Sequence, residues 1–402
     1  MSRQTLEKIL LVILYTLAFL ALVHYNLINH NPESQFESLA QSFLRGHLYV
    51  GVNDGTWLDA SYYKGYAYWP QGMFPAVLLM PIIGIFGKLV HQQHIQFLLN
   101  LLNIFLLYKI ALKITNNKRT SLWLSFAYLF ATAYIAVGLI PWSWWFAQIV
   151  ATFVMLLALY EYLHKRRWFL IGLYVACAFM TRIDLFISLF FFVFSIILSK
   201  QATNKKIQQF VLLCTPVLLG IILIFLYNYF RFGSFLEFGY RYHIPALSAA
   251  RNIFKEYGTW NFFYYPSNFY YLFLKGFDQM VIRGTGYLAY PFISADMWGM
   301  SIFITSPILL WCVKSIKHTL QERDVKLALL TSLFILLFLL GYFGIGTRQY
   351  GYRYALDFSP FLFLVLCYAF TSGMSNLAKF VIIASFALNY YLFPTIFKVL
   401  LH

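Results

Sequence analysis

The chain has 402 residues, of which 61% are hydrophobic and only 11% charged. Soluble domains carry about 25% charged residues, so this charge cannot cover a soluble body of such size, whereas a lipid-facing surface needs none. The net charge of +16 does not mark a nucleic-acid binder, because the basic residues fall in short clusters between apolar runs.

In chain order, the first apolar run, about residues 8–26, follows Arg3 and Lys8. It passes into Val23-His24-Tyr25-Asn26-Leu27 without a small-residue cleavage site and reads as a retained signal anchor. Further apolar runs lie at about 94–115, 120–139, 147–163, 168–183, 184–199, 209–230, 299–316, 326–343, 355–371 and 377–396. The run 73–90 is ambiguous, with Pro75, Pro81, Gly84 and Gly87 inside it. The four cysteines, Cys177, Cys214, Cys312 and Cys367, sit within these runs without metal or redox spacing, and read as small buried hydrophobes.

The positive-inside rule resolves 73–90. If it does not cross, Lys109, Lys113, Lys118, Arg119, Lys165, Arg166, Arg167, Lys200, Lys205, Lys206, Lys314, Lys317, Arg323 and Lys326 all face the cytoplasm. The short outer connections then hold only Arg182, Arg348 and Arg353. If it crosses, every later loop reverses. The expected fold is therefore an all-α polytopic membrane protein of about eleven transmembrane helices, a single domain over 1–402. Interfacial helices are expected in two large outer loops, 27–93 and 231–298, with 73–90 lying in the outer interface.

Of the chain's acids, Glu7, Glu161, Glu322 and Asp324 lie near cytoplasmic Lys or Arg, and the others face outward under this topology. The first outer loop begins with a short helical pattern over 36–44 and continues through Asn53-Asp54-Gly55-Thr56-Trp57-Leu58-Asp59 to Lys64-Gly65-Tyr66-Ala67-Tyr68-Trp69-Pro70. A carboxylate can deprotonate a hydroxyl acceptor, and aromatic faces such as that of Tyr66 stack on sugar rings. The same residues also suit an Asp-Gly turn and an interfacial aromatic belt. The outer arginines that stand out as candidates are Arg182, Arg231, Arg241, Arg348 and Arg353. Their planar, permanently charged forks suit a lipid phosphate. Snorkelling or pairing, as of Arg182 with Asp184 and Arg353 with Asp357, is the structural alternative.

Four segments, taken in order, resemble the GT-C superfamily of polytopic glycosyltransferases, and within it the branch holding protein O-mannosyltransferases and the lipid A aminoarabinose transferase. They are the acidic, aromatic first loop running into Tyr68-Trp69-Pro70-Gln71-Gly72-Met73-Phe74-Pro75, and Gly172 to Asp184 with Met180-Thr181-Arg182. Then come Asn228-Tyr229-Phe230-Arg231-Phe232-Gly233-Ser234 with Phe238-Gly239-Tyr240-Arg241-Tyr242, and Gly351-Tyr352-Arg353-Tyr354 before Leu356-Asp357. The resemblance implies transfer of a hexose or pentose from a polyprenyl or dolichyl phosphate carrier, with inversion, to a glycan, lipid or protein acceptor. It implies Asp59 as base with Asp54 as second choice, and Lys64, Arg241 and Arg353 at the phosphate. Arg182, Arg231, Arg348, Tyr66 and His243 are further substrate-binding candidates. No cofactor is fixed by these residues, and a divalent metal ion is a candidate. Where family members show adjacent acids, Asp54 and Asp59 stand apart here. The implied location is a cell-envelope membrane, the plasma membrane of a prokaryote, with the active site outward. The rival reading is a flippase or carrier of lipid-linked sugars. It is disfavoured by the near absence of charge at mid-helix and of a clear internal repeat.

Overall fold

The computed structural model describes residues 2–28, 34–52, 57, 59–243 and 248–398. The chain divides into two compact units. The first comprises Met1–Ile28, Leu101–Ile140 and Phe262–His402, and the second Asn29–Asn100 and Pro141–Asn261. Among the described residues, four helices are long and apolar enough to cross a membrane: Gln4–Ile28, Gln92–Thr115, Ser143–His164 and Thr203–Phe232. Shorter apolar helices occupy Phe74–Phe86, Trp168–Thr181, Ile183–Ile197, Ser359–Ala369 and Asn376–Leu392, and a further helix spans Arg323–Leu340. The run 299–316 is not one helix. It breaks into Ile302–Thr305, a 3₁₀ turn Pro307–Leu309 and Leu310–Lys314. Proline lacks the N–H that a continuing helix needs, and it drives the preceding residue, Ser306, out of helical geometry.

In the first unit the helix ends are sorted by charge. The Glu7 carboxylate accepts from Trp123 Nε1 at 2.8 Å and pairs with Lys379 Nζ at 2.6 Å. Nearby in sequence, Arg119 Nη2 donates to Gln4 Oε1 at 2.7 Å. Those contacts gather the N-terminal ends of three helices, Arg3–Val23, Lys118–Phe130 and Asn376–Leu392. At the far end of the last of these, Asn389 accepts from Tyr350 OH at 2.5 Å and donates to the Thr305 carbonyl at 3.0 Å. The loop of Tyr350 to Tyr354 therefore lies at the end away from Lys379.

In the second unit, Trp168–Thr181 and Thr203–Phe232 run parallel. A Cβ on Gly172 would meet the Leu213 carbonyl oxygen at 2.1 Å, and one on Gly220 would touch Ala176 and Phe179. Glycine permits this approach because it has no Cβ. Both helices begin at basic residues, Arg167 and Lys205-Lys206, and end at Arg182 and Arg231. The first loop opens with the expected short helix, Gln35–Leu44, which buries Phe36, Leu39 and Ala40. Its Glu37 carboxylate pairs with His91 Nδ1 at 3.1 Å and accepts from Gln92 N at 3.3 Å. It thereby satisfies an orphan N–H at the start of Gln92–Thr115, where the helix dipole favours an anion.

The all-α expectation needs correction, because both long loops contain strands. In the second unit β1 (Gly51–Val52), β2 (Ser61–Tyr63) and β3 (Tyr66–Tyr68) form an antiparallel sheet in the order β1-β3-β2. The β2–β3 turn is Lys64-Gly65, with φ of +47° and +83°. Left-handed geometry at both central residues matches the twist of a two-residue hairpin. In the first unit β4 (Asp278–Val281) pairs with β5 (Leu288–Ser294).

Candidate active site at the first-loop sheet

The sheet of the first loop is held against the C-terminal ends of two helices in its own unit. After β3, Gly72 lies directly on the end of Trp168–Thr181, where a Cβ would fall 2.1 Å from the Met180 oxygen and 2.5 Å from the Thr181 oxygen. The following residue on that helix is Arg182. Its guanidinium is 3.8 Å from the Asp184 carboxylate, which is buried. The expected pairing of these two is thus present, at the long end of ion-pair distance.

The other contact is Arg231, at the end of Thr203–Phe232 and only 5% exposed. Its Nη1 donates to the Trp69 carbonyl at 3.1 Å and its Nη2 to Asn228 Oδ1 at 2.8 Å. The guanidinium lies 3.8 Å from the Tyr227 ring centroid and 4.7 Å from that of Phe232. Phe232 in turn is wrapped by Tyr63 and Tyr68 from the sheet and by Tyr242, with ring centroids 5.6, 5.2 and 5.5 Å away. Arg231 is thereby a pin between helix and sheet.

The second loop reaches the sheet by a close backbone approach. Gly239 has φ of +92°, and a Cβ there would meet Phe232 at 2.9 Å and Ser61 Oγ at 3.3 Å. A 3₁₀ turn, Tyr240–Tyr242, follows, and then His243 pairs with Ser61 in an isolated antiparallel bridge. This bridge sets the His243 ring against Asp59, within reach of its backbone carbonyl and of the field of its carboxylate. Burial pushes the His243 imidazole below the ordinary histidine range, and the Asp59 carboxylate opposes that shift without overcoming it. The ring is therefore neutral at pH 7. Asp59 itself is half-buried and adopts a left-handed backbone, φ +54°, a conformation that Asp tolerates better than most residues.

Several buried polar atoms at this junction have no hydrogen-bond partner among the described residues: Ser61 Oγ, Trp69 Nε1, Gln71 Oε1, Arg231 Nε and His243 Nδ1. Unpaired buried donors and acceptors are costly. Lys64 and Arg241 are exposed at the tips of their turns, and the Tyr66 ring is exposed and stacked on Tyr49 at 4.4 Å. Asp54 lies outside the described residues. Among those described, no three His, Cys, Asp or Glu side chains gather as metal ligands. Asp59 and His243 alone fall short of the usual coordination set.

In the first unit, Arg353 is buried. Its backbone N–H donates to Gln349 Oε1 at 3.1 Å, its Nη2 donates to Tyr354 OH at 3.3 Å, and its guanidinium lies 4.8 Å from the Tyr354 ring centroid. Arg348 is half-buried with φ of +53°. Sequence reasoning missed the contributions of Gly72 and Gly239, whose only signal was a glycine beside each aromatic motif, and that of Trp69, whose carbonyl takes the Arg231 fork.

No protein-family model and no curated protein matches the sequence. Two solved structures are similar in shape. One is the apo oligosaccharyltransferase of Archaeoglobus fulgidus, with 13% identity and a TM-score of 0.48, the similarity covering 96% of this chain and 55% of that one. The other is the Archaeoglobus fulgidus oligosaccharyltransferase AglB in complex with an inhibitory peptide and a dolichol-phosphate, with 12% identity and a TM-score of 0.48, covering 97% and 55%. This chain spans about half the length of each.

Proposed function

We propose that the protein is a multi-pass membrane glycosyltransferase that moves a sugar from a polyprenyl or dolichyl phosphate to a hydroxyl acceptor on the face away from the cytoplasm. The observation that carries the reading is the meeting of Asp59 and His243. Residues from two loops far apart in sequence come together at helix ends remote from the basic clusters of their own unit, beside buried polar atoms that lack partners.

Asp59 is the base. Its carboxylate takes the proton of the acceptor hydroxyl as that oxygen bonds to the anomeric carbon. The bond from that carbon to the carrier phosphate breaks on the opposite side, which inverts the configuration. His243 is a positioning residue, since its ring braces the Asp59 segment. The departing phosphate gains negative charge as the bond breaks, so preorganised cations stabilise it most in the transition state. In the unit that holds Asp59, Arg182, Lys64 and Arg241 are assigned this role, with Tyr66 as a stacking face for the sugar. Asp54 remains the second choice for the base. Transport without transfer is the competing reading, and the test separates the two.

The test is sugar release from a panel of polyprenyl-phosphate sugars, with membrane extract as acceptor source, by the parent and by Asp59→Asn in nanodiscs. Loss of a general base lowers the rate by about 10²- to 10⁴-fold. The proposal expects that loss with donor binding retained. Equal turnover in the two proteins removes Asp59 as the base. Donor binding by the parent without consumption of any donor favours a carrier.

A further inference from the structure

The second long loop, in which interfacial helices were expected, exposes a dense apolar surface in the first unit that extends beyond helix onto a hairpin. The segment Tyr265–Phe269 and Tyr270–Leu274 packs one side on the C-terminal end of the helix Arg323–Leu340. Asn268 Nδ2 donates to the carbonyls of Leu340 at 2.9 Å and Tyr342 at 2.8 Å, and Tyr265 OH donates to that of Leu337 at 2.7 Å. These bonds satisfy carbonyls that a helix end leaves open. The other side exposes Phe262, Phe269 and Leu274. It adjoins an exposed stripe on the same helix, Leu330, Leu333, Phe334 and Leu337.

The surface continues onto the β4–β5 hairpin. Between the pairs Gln279–Ile293 and Val281–Leu288, β5 carries the four residues Ala289–Phe292 against the single Met280 of β4, so this stretch bulges from the ladder. Its inner side is fixed. The Pro291 carbonyl accepts from Tyr391 OH, and Ala295 N donates to Thr395 Oγ1 at 2.9 Å. Its outer side presents Tyr290 and Phe292, 72% and 50% exposed, beside Tyr287 at 77%. Val281, Ile282 and Leu288 are exposed as well. Charge is confined to two places. At the base, Lys275 Nζ pairs with Asp278 at 2.5 Å and Asp296 at 3.1 Å; at the tip stands Arg283, exposed.

We propose that this hairpin and the Phe262–Leu274 segment form a docking surface for the lipid bilayer, lying in the headgroup region at the Tyr391 end of the helix Asn376–Leu392. Three features favour lipid over an aqueous partner. The apolar stripe is continuous with that of a neighbouring helix. Tyr and Phe with an isolated arginine match the composition of an interfacial anchor. The remaining charges, Lys275 between Asp278 and Asp296, are tied together by ion pairs at the boundary where the surface begins. Depth follows from the backbone. A two-stranded hairpin has two open edges, whose N–H and C=O groups cannot enter hydrocarbon unpaired. The hairpin thus lies along the interface, with Tyr290, Phe292 and Leu288 toward the acyl chains and Arg283 toward lipid phosphate. This inference does not depend on the transferase reading.

The test uses spin labels at Tyr290→Cys and Leu288→Cys, separately, in full-length protein carrying Cys214→Ser. Cys214 is the one native cysteine not buried. The protein is placed in nanodiscs of phosphatidylcholine and phosphatidylglycerol. Collision with oxygen, which partitions into lipid, is compared with collision with a water-soluble nickel chelate, and Gln321→Cys in an exposed turn is the aqueous control. The expected result is an oxygen-to-nickel ratio several-fold above the control at both hairpin sites. Dominant nickel access at both sites would overturn the proposal by placing the hairpin in water. Protection from both reagents would overturn it too, by showing a protein surface over the hairpin.

Discussion

Arg231 offers the sharpest separation between a structural pin and a phosphate ligand. Arg231→Met keeps much of the side-chain volume but removes two charge-assisted hydrogen bonds, to the Trp69 carbonyl and to Asn228 Oδ1. Such bonds contribute about 1.5–3 kcal/mol each, and the Trp69 carbonyl left behind costs about 1–3 kcal/mol of lost solvation. Against this, a buried guanidinium carries a desolvation cost of its own that methionine does not. The net expectation is a local destabilisation of about 2–4 kcal/mol. Because the sheet is tied to the helix through this residue, the loss appears as easier opening of the segment from Ser61 to Gly72. At about 1.4 kcal/mol per tenfold, amide exchange there accelerates roughly 30- to 700-fold. The assay is hydrogen exchange read by mass spectrometry in nanodiscs, with peptides from Trp168–Thr181 as reference. Arg231→Lys recovers only part of the protection, since an ammonium cannot bridge both acceptors as the fork does. Unchanged exchange in Arg231→Met together with weakened binding of a polyprenyl phosphate would refute the pin and return Arg231 to the ligand set.

Three further outcomes follow from the same geometry. Gly72→Ala places a Cβ 2.1 Å from the Met180 oxygen, so the first loop must shift off the helix end; a cost of about 1–3 kcal/mol is expected, visible as a lower midpoint of thermal unfolding, and an unchanged midpoint with unchanged turnover argues against the contact. For His243, whose folded pKa lies below the ordinary value, the unfolded chain takes up the proton first as pH falls. The stability it contributes is complete above about pH 6.5 and is lost as pH drops through the folded pKa, so His243→Gln flattens the acid limb of a pH–stability profile, and an identical limb in parent and variant contradicts the burial. For Lys275, burial lowers the pKa but the hydrogen bonds to Asp278 and Asp296 outweigh it and hold it above the lysine range. Its contribution is complete below about pH 10.5 and is lost above, so Lys275→Met loosens the hairpin base at pH 7, read as faster exchange of residues 278–281 and 293–296, while unaltered exchange there would show that the ion pairs carry no net stability.

The helices were legible in the sequence because hydrophobic runs and basic clusters report on the solvent around them, a property local to each segment. Glu7, Arg119 and Lys379 gather at one end of their unit. The sheet was not legible on the same grounds. Ser61 to Tyr68 shows no strict alternation, its aromatic residues also fit an interfacial belt, and the Lys64-Gly65 turn is a weak signal without its partner strands. The break at Pro307 was written in the sequence and was overridden by the apolar length of 299–316. Pairing of Ser61 with His243 is long-range and depends on Gly239 clearing Phe232. No local pattern states it.

The arginines show why a list of outer cations does not define a site. In the sequence, Arg182, Arg231, Arg241 and Arg353 differ little in kind, each being an outer arginine close to the boundary of the membrane or to an aromatic motif. Folding separates them by what their donors already serve. Arg231 has two of its donors committed to a carbonyl and an amide, and Arg353 is buried against Tyr354. Lys64 and Arg241 are exposed, where a phosphate arriving from the membrane surface gains less from each contact because water screens it. Arg182 stands between these extremes, half-buried beside Asp184 at a distance of 3.8 Å. The nearby carboxylate holds it in place, and partial burial strengthens its field at the helix end. On this ground Arg182, which the sequence ranked below Arg241 and Arg353, becomes the first choice for the leaving phosphate. Arg182→Gln should then lower turnover more than Arg241→Gln in the sugar-release assay, and the reverse order would show that solvent-exposed charge, not the helix end, receives the carrier.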